Sequence, residues 1–195
     1  MQIDKAYEKL NIVQDFIPLG NSNRPGKTLV PTGITIHNTD NPDKGANAAA
    51  HAKYQKGADA RKRRVSWHFT VDDKTVYQSL PANEVGWHAR STKGNSTTIG
   101  VEICMNSGLD EKAAYQRAAL LVALLAFQNK IKVPKAIFQH HDWYPAKDCP
   151  TVLRNKKNGW AIFVGQIKRS LGSLAPVPAA VLSLNKEEKN HHLLD

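Results

Sequence analysis

The sequence predicts an α/β domain: a central mixed β-sheet of about five strands flanked by α-helices. Three observations lead there. Short apolar runs rich in β-branched residues recur, among them Gly33–His37, Thr97–Cys104 and Ala136–Phe138, and each is bounded by turn residues. Between them lie stretches with helical spacing, Ala46–Lys56 and Asp110–Asn129. The chain has 195 residues, enough for one well-buried core, and its 41% hydrophobic and 23% charged residues are those of a globular protein. No apolar run reaches the roughly 20 residues that a membrane-spanning helix needs, so no transmembrane segment is expected.

Residues 1–30 form an N-terminal segment. Ile3, Ala6, Tyr7 and Leu10, followed by Ile12, Val13, Phe16 and Ile17, suggest an amphipathic element that Pro18 ends. Asp4, Lys5, Glu8 and Lys9 interrupt any signal-peptide core, so a route other than ordinary secretion is expected if the protein acts outside the cytoplasm. Gly33–His37 is a strand that delivers His37 to the turn Asn38-Thr39-Asp40-Asn41-Pro42. Ala46–Lys56 should be a helix, and Gly57–Arg64 a basic loop ending in four cations, Arg61 to Arg64. Such a run can bind phosphate, yet no nucleic-acid motif accompanies it, and specific nucleic-acid binding is not expected.

Val65–Val71 reads as a strand, joined through Asp72-Asp73-Lys74 to a second over Thr75–Gln78. Alternation places Ser66, His68 and Thr70 on a polar stripe opposite Trp67, Phe69 and Val71. Trp87 and His88 fall in a long loop, Pro81–Gly94, and suit contacts to sugar or peptide. In Thr97–Cys104 the carboxylate of Glu102 interrupts an apolar strand; burying it is costly unless it is paired or employed. Asp110 caps a helix through Asn129 that is apolar nearly all round and should pack at the centre. Asn158–Leu171 is a terminal helix, and 172–195 reads as a mobile or partner-docked tail.

The richest chemistry lies at Phe138–Pro150. A short strand delivers His140 and His141 to a loop that returns at Cys149, and two imidazoles and a thiol are donors that zinc favours. Only two cysteines occur, Cys104 and Cys149, too few for a disulfide scaffold. A catalytic zinc needs three protein ligands, a base and a cation for developing negative charge. His37, His140 and Cys149 can supply the ligands, Glu102 the base and Lys147 the charge.

These residues stand in Ile-Thr-Ile-His-Asn-Thr (34–39), Ser-Trp-His-Phe-Thr-Val-Asp (66–72), Gly-Trp-His-Ala (86–89), Ile-Gly-Val-Glu-Ile-Cys (99–104) and Gln-His-x-x-Trp…Lys-x-Cys-Pro (139–150). In that order the motifs resemble the type 2 N-acetylmuramoyl-L-alanine amidases, zinc amidases that include phage endolysins and share a fold with peptidoglycan-recognition proteins. The resemblance runs from about Pro31 to Phe163 and implies a catalytic domain over 31–171. It implies one zinc ion on His37, His140 and Cys149, with Glu102 and Lys147 catalytic. Trp67, His68, Trp87, His88 and Asn38 are expected to contact substrate. The implied reaction cleaves the amide between N-acetylmuramic acid and L-alanine of peptidoglycan.

Two departures stand out. The final loop is one residue longer than the usual pattern, so counting back from Cys149 points to His141, whereas the Gln-His and Trp143 anchors point to His140. Trp67 stands where one branch of the family has a catalytic tyrosine. The alternative reading is a non-catalytic peptidoglycan-binding module of the same fold. The formal charge of +10, from 27 basic and 17 acidic residues, suits attraction to an anionic cell-wall surface. Action at the cell wall or periplasm is expected, after phage lysis or non-standard export.

Overall fold

The computed structural model describes residues 1–174; the tail expected over 172–195 lies, from residue 175 on, outside the described residues. The N-terminal segment divides into helix α1 (Ile3–Leu10) and strand β1 (Ile12–Gln14). Asn11 makes the break: it adopts the left-handed conformation (φ 52°) that an asparagine tolerates at a helix end. The next elements are β2 (Gly33–Asn38), α2 (Ala48–Lys56), α3 (Ala58–Arg63), β3 (Phe69–Val71), β4 (Val76–Gln78) and α4 (Thr92–Thr97). Then come β5 (Thr98–Ile103), α5 (Glu111–Gln128), β6 (Ile137–Gln139), α6 (His140–Trp143), α7 (Thr151–Asn155) and α8 (Gly159–Ser173).

The sheet has six strands in the order β1-β4-β3-β5-β2-β6. The expected mixed sheet of about five gains β1, which pairs in parallel with β4 at the edge. Among the described residues, β3 and β4 are the one antiparallel pair of strands in the sheet, joined by the expected hairpin. Asp72 closes its turn by accepting from the backbone of Lys74 and Thr75 at 2.8 and 2.7 Å, and its other oxygen accepts from Ala48 N–H at the start of α2. The strand expected from Val65 shortens to Phe69–Val71, because the N–H groups of Ser66 and Trp67 donate to the Trp87 carbonyl and the Gln55 side chain.

Ile34 and Ile36 of β2, Ile99, Val101 and Ile103 of β5, and Phe69 and Val71 of β3 join the buried hydrophobic core, to which α5 contributes its buried residues from Ala114 to Ala126. That helix packs on the sheet on one side and on α8 and α1 on others, which is why it is apolar nearly all round. Asp110 caps it as expected, accepting from Ala113 N–H at 3.0 Å. The basic stretch read as a loop is instead helix α3, held by the fully buried Ala60. No helix among the described residues is long and apolar enough to cross a membrane.

Parallel register brings the chemical side chains into line. His37 pairs with Glu102, and Glu102 pairs with Thr70, so three neighbouring strands carry these side chains in one row on the face away from α5. Ile36 pairs with Gln139, which places His140, the next residue, level with His37.

Candidate metal and catalytic site

The row lies at the carboxyl ends of β5, β2 and β6, where open parallel sheets collect functional residues. His37 Nδ1 stands 3.1 Å from His140 Nδ1 and 3.9 Å from Cys149 Sγ. All three donor atoms lie within 4.8 Å of one another, and the three residues are buried. Tetrahedral zinc with bonds of about 2.0 Å to nitrogen and about 2.3 Å to sulfur separates its ligand atoms by roughly 3.3–3.6 Å, close to these spacings. His140 Nε2 is buried without a partner, so the ring is oriented by its Nδ1 side.

His140 and His141, expected on a loop, instead open the short helix α6. Gln139 and Asp142 form a reciprocal capping box, with Gln139 N–H donating to Asp142 Oδ2 at 2.8 Å. Trp143 ties the helix down by donating its indole N–H to Thr35 Oγ1 at 2.9 Å. The structure separates the two histidines. His140 turns into the cluster, whereas His141 lies 3.1 Å from the Lys147 carbonyl through Nδ1 and donates its backbone N–H to the Cys149 carbonyl. His141 therefore shapes the loop that carries Lys147 and Cys149.

Electrostatics prepare the same atoms. Burial holds His37 well below its ordinary range, with His88 and His140 adding to the effect. Burial also takes His140 down to about 4, with Lys147 contributing. Both rings are therefore neutral at pH 7 and offer lone pairs. The Cys149 thiol is pushed up to about 12, chiefly by burial and then by Glu102. A thiol so placed loses its proton to solvent at neutral pH only where a cation in the cluster stabilises the thiolate. Two buried neutral imidazoles and a thiol with converging donor atoms fit a soft-to-borderline metal ion. Both cysteines are free thiols.

Glu102 Oε1 lies 3.9 Å from His37 Nδ1, and its side chain is 14% exposed. Its Oε2 has no partner. Burial raises this carboxyl to about 8, with Lys147 acting in the opposite direction. Lys147 stands at the rim, half-exposed and 3.2 Å from Asp40. Above the row opens a cleft of about 750 Å³, whose walls include Asn38, Trp67, Trp87, His88, Glu102 and Lys147.

Of the residues expected to contact substrate, His68 does not reach this cleft. It is fully buried, accepting from Gly100 N–H at 2.9 Å through Nδ1, so its Nε2–H donates to the Glu84 carbonyl at 2.7 Å. Trp67 reaches the wall, but its indole N–H donates to Thr70 Oγ1 at 2.7 Å. Asn38 spends its amide inward, donating to the Ile103 carbonyl and the Tyr115 hydroxyl and accepting from Val152 N–H. Sequence reasoning missed Asp40, Tyr54, Arg90 and Tyr144 on the cleft wall. Asp40 alone carried a signal, since it sits in the turn leaving the His37 strand.

Residues 27–152 match the family model described as N-acetylmuramoyl-L-alanine amidase. The chain belongs to this amidase family. It is 42% identical over 158 residues to N-acetylmuramoyl-L-alanine amidase XlyA of Bacillus subtilis (strain 168), an alignment covering 80% of the chain and 52% of that protein. It is 39% identical to N-acetylmuramoyl-L-alanine amidase CwlH of the same organism, covering 90% of the chain and 70% of that protein. The chain thus spans about half the length of XlyA and over two thirds of CwlH. Among solved structures, the catalytic domain of XlyA superimposes with a TM-score of 0.74 at 43% identity, covering 80% of the chain and 99% of that domain. The amidase fold is thereby established together with the family.

Proposed function

We propose that this amidase is a zinc-dependent N-acetylmuramoyl-L-alanine amidase, hydrolysing the amide between the lactyl group of N-acetylmuramic acid and the L-alanine that begins the peptidoglycan stem. The observation that carries the reading is the convergence of His37, His140 and Cys149 donor atoms beside the unpartnered Glu102 carboxyl. Family membership supplies the reaction class. The three donors would hold the metal, and zinc supplies Lewis acidity toward the amide carbonyl and makes water a stronger acid.

The rest of the chemistry falls to the chain. Glu102, as carboxylate, takes a proton from the attacking water as the new carbon–oxygen bond forms. It passes that proton to the alanine nitrogen as the carbon–nitrogen bond breaks, leaving a lactyl carboxylic acid and a free amine, whose proton exchange at neutral pH gives carboxylate and ammonium. The Lys147 ammonium faces the same cleft and opposes the negative charge that builds on the carbonyl oxygen. Trp87 offers a flat apolar surface at the cleft wall for sugar or peptide. Trp67 contributes packing against Tyr54, with ring centroids 6.2 Å apart and nearly parallel, and no free donor.

The domain spans 31–171, with residues 1–30 serving as an edge support. The site of action is the cell wall, whose anionic polymers the +10 charge attracts in a salt-sensitive way. Mass spectrometry of purified peptidoglycan digested with the protein, with and without chelator, tests the function. Free stem peptides beginning with L-alanine, lost on chelation and restored by zinc, are expected. Stems that stay attached to glycan at every protein concentration with zinc present would overturn it, and wall binding without cleavage would then mark a recognition module.

A further inference from the structure

His88 was expected to touch substrate, yet both its ring nitrogens face inward. Nε2 lies 3.3 Å from the Thr98 carbonyl, and Nδ1 lies 3.0 Å from His37 Nε2. The carbonyl can only accept, so Nε2 of His88 carries the proton. A neutral imidazole has a single N–H, which leaves His88 Nδ1 as a lone pair. His37 Nε2 must then be the donor across the 3.0 Å contact, and His37 Nδ1 in turn is a lone pair. That atom is the one 3.1 Å from His140 Nδ1 and 3.9 Å from Cys149 Sγ. One backbone carbonyl at the start of β5 thus fixes the polarity of two rings in series.

We propose that His88 is a positioning residue for the metal cluster, its ring polarised by the Thr98 carbonyl so that it holds His37 in the Nε2–H tautomer and aims His37 Nδ1 at the ion. This rests on the reading of His37, His140 and Cys149 as a metal site. A metal-bound histidine commonly donates its other N–H to a carboxylate or a carbonyl. Here the acceptor is a second histidine, and its own hydrogen bond decides that it can accept.

The surroundings hold the relay in place. A Cβ on Gly100 would stand 2.7 Å from His88 Cγ, so a side chain there would collide with the ring. The backbone N–H of His88 donates to Asn95 Oδ1 at 3.0 Å, and the His68 ring meets its edge at 5.8 Å between centroids. His88 is only 8% exposed. The Gly-Trp-His and Ile-Gly-Val-Glu motifs are therefore linked physically: the glycine of the second makes room for the histidine of the first.

The test reads tautomers and metal binding, not turnover. Long-range nitrogen–proton NMR correlations on the metal-free protein are expected to show His88 and His37 both protonated at Nε2. In His88→Phe, which keeps a ring but no acceptor, zinc affinity measured by competition with a chromophoric chelator should fall about 10- to 100-fold. In His88→Asn the amide oxygen can take the place of Nδ1, and affinity should recover to within about threefold of the parent. Wild-type protein that binds no zinc overturns the metal reading and this role with it. Wild-type protein that binds zinc while His88 is protonated at Nδ1, or a folded His88→Phe with undiminished affinity, overturns the role of His88 alone. The NMR arm stands even if the phenylalanine variant fails to fold.

Discussion

Replacing Glu102 by Gln should abolish catalysis and stabilise the metal-free protein, and the two effects have separate pH signatures. The Glu102 carboxyl is raised from 4.5 to about 8, with burial the largest cause. At about 1.36 kcal/mol for each tenfold change in proton affinity, the folded chain carries a penalty on the order of 5 kcal/mol once the group is ionised. The sign follows from proton counting. Below pH 4.5 the carboxyl is protonated folded and unfolded, and it costs nothing. Between 4.5 and about 8 the unfolded chain releases the proton and the folded chain keeps it, so stability falls as pH rises; above 8 the deficit is constant. A neutral amide has no such titration, although burying it carries its own smaller cost, so a net gain of about 2–4 kcal/mol is expected at pH 8 and almost none at pH 4. For a domain of this size that is a rise in melting temperature of roughly 5–15 °C at pH 8. Thermal unfolding of chelator-treated wild type and Glu102→Gln from about pH 4 to 9 measures it. Added zinc should shrink the difference, because a nearby cation favours the ionised carboxyl. A difference independent of pH, or one that grows toward low pH, would refute the idea that this carboxylate is held uncomfortably in the fold.

Three further expectations address the neighbourhood. Lys147→Met should reduce peptidoglycan turnover by about 10²–10³-fold through lost charge stabilisation, while its half-exposed contact with Asp40 makes the stability change under about 1 kcal/mol; steady-state assays beside thermal melts separate the two. Gly100→Ala would place a methyl carbon 2.7 Å from His88 Cγ in the middle of β5, so a loss of about 1–3 kcal/mol and weakened zinc retention are expected from denaturant titration and metal analysis. Asn38→Leu removes a side chain bonded to Ile103, Tyr115 and Val152, leaving a buried hydroxyl and backbone groups unpaired, and should cost about 2–5 kcal/mol in the same titration.

The sequence carried the strands and the long helix because their patterns answer to local rules. Glu102 stood out as the carboxylate that interrupts an apolar strand, His37 closed the strand Gly33–His37, and Asp110 marked the start of α5 by its capping chemistry. Elements decided by distant partners were harder to read. The strand β1 is three residues long and becomes a strand through its pairing with β4, so its apolar residues read only as part of an amphipathic element ending at Pro18. The cationic stretch 58–63 looked like a loop because its helix buries only Ala60 and shows no apolar stripe. The choice between His140 and His141 could not follow from spacing, since the two lie side by side on one turn of α6. In the fold the His140 ring lies against His37, and the His141 ring lies against the Lys147 carbonyl.

Three of the residues expected to contact substrate spend their polar atoms within the protein, and the reason is physical. A histidine, tryptophan or asparagine near a catalytic motif suggests a free donor facing ligand, but a buried polar group is stable only when its own hydrogen bonds are met. His68, Trp67 and Asn38 meet theirs within the protein, at Glu84 and Gly100, at Thr70, and at Ile103, Tyr115 and Val152. Among the buried polar atoms left without a partner, Glu102 Oε2 is the informative one, since its carboxyl lies beside the His37 ring. That oxygen stands beside the converging donors of His37, His140 and Cys149, where a group from outside the chain can meet it. His88 belongs with the satisfied groups, and its value to the site lies in what it makes His37 do.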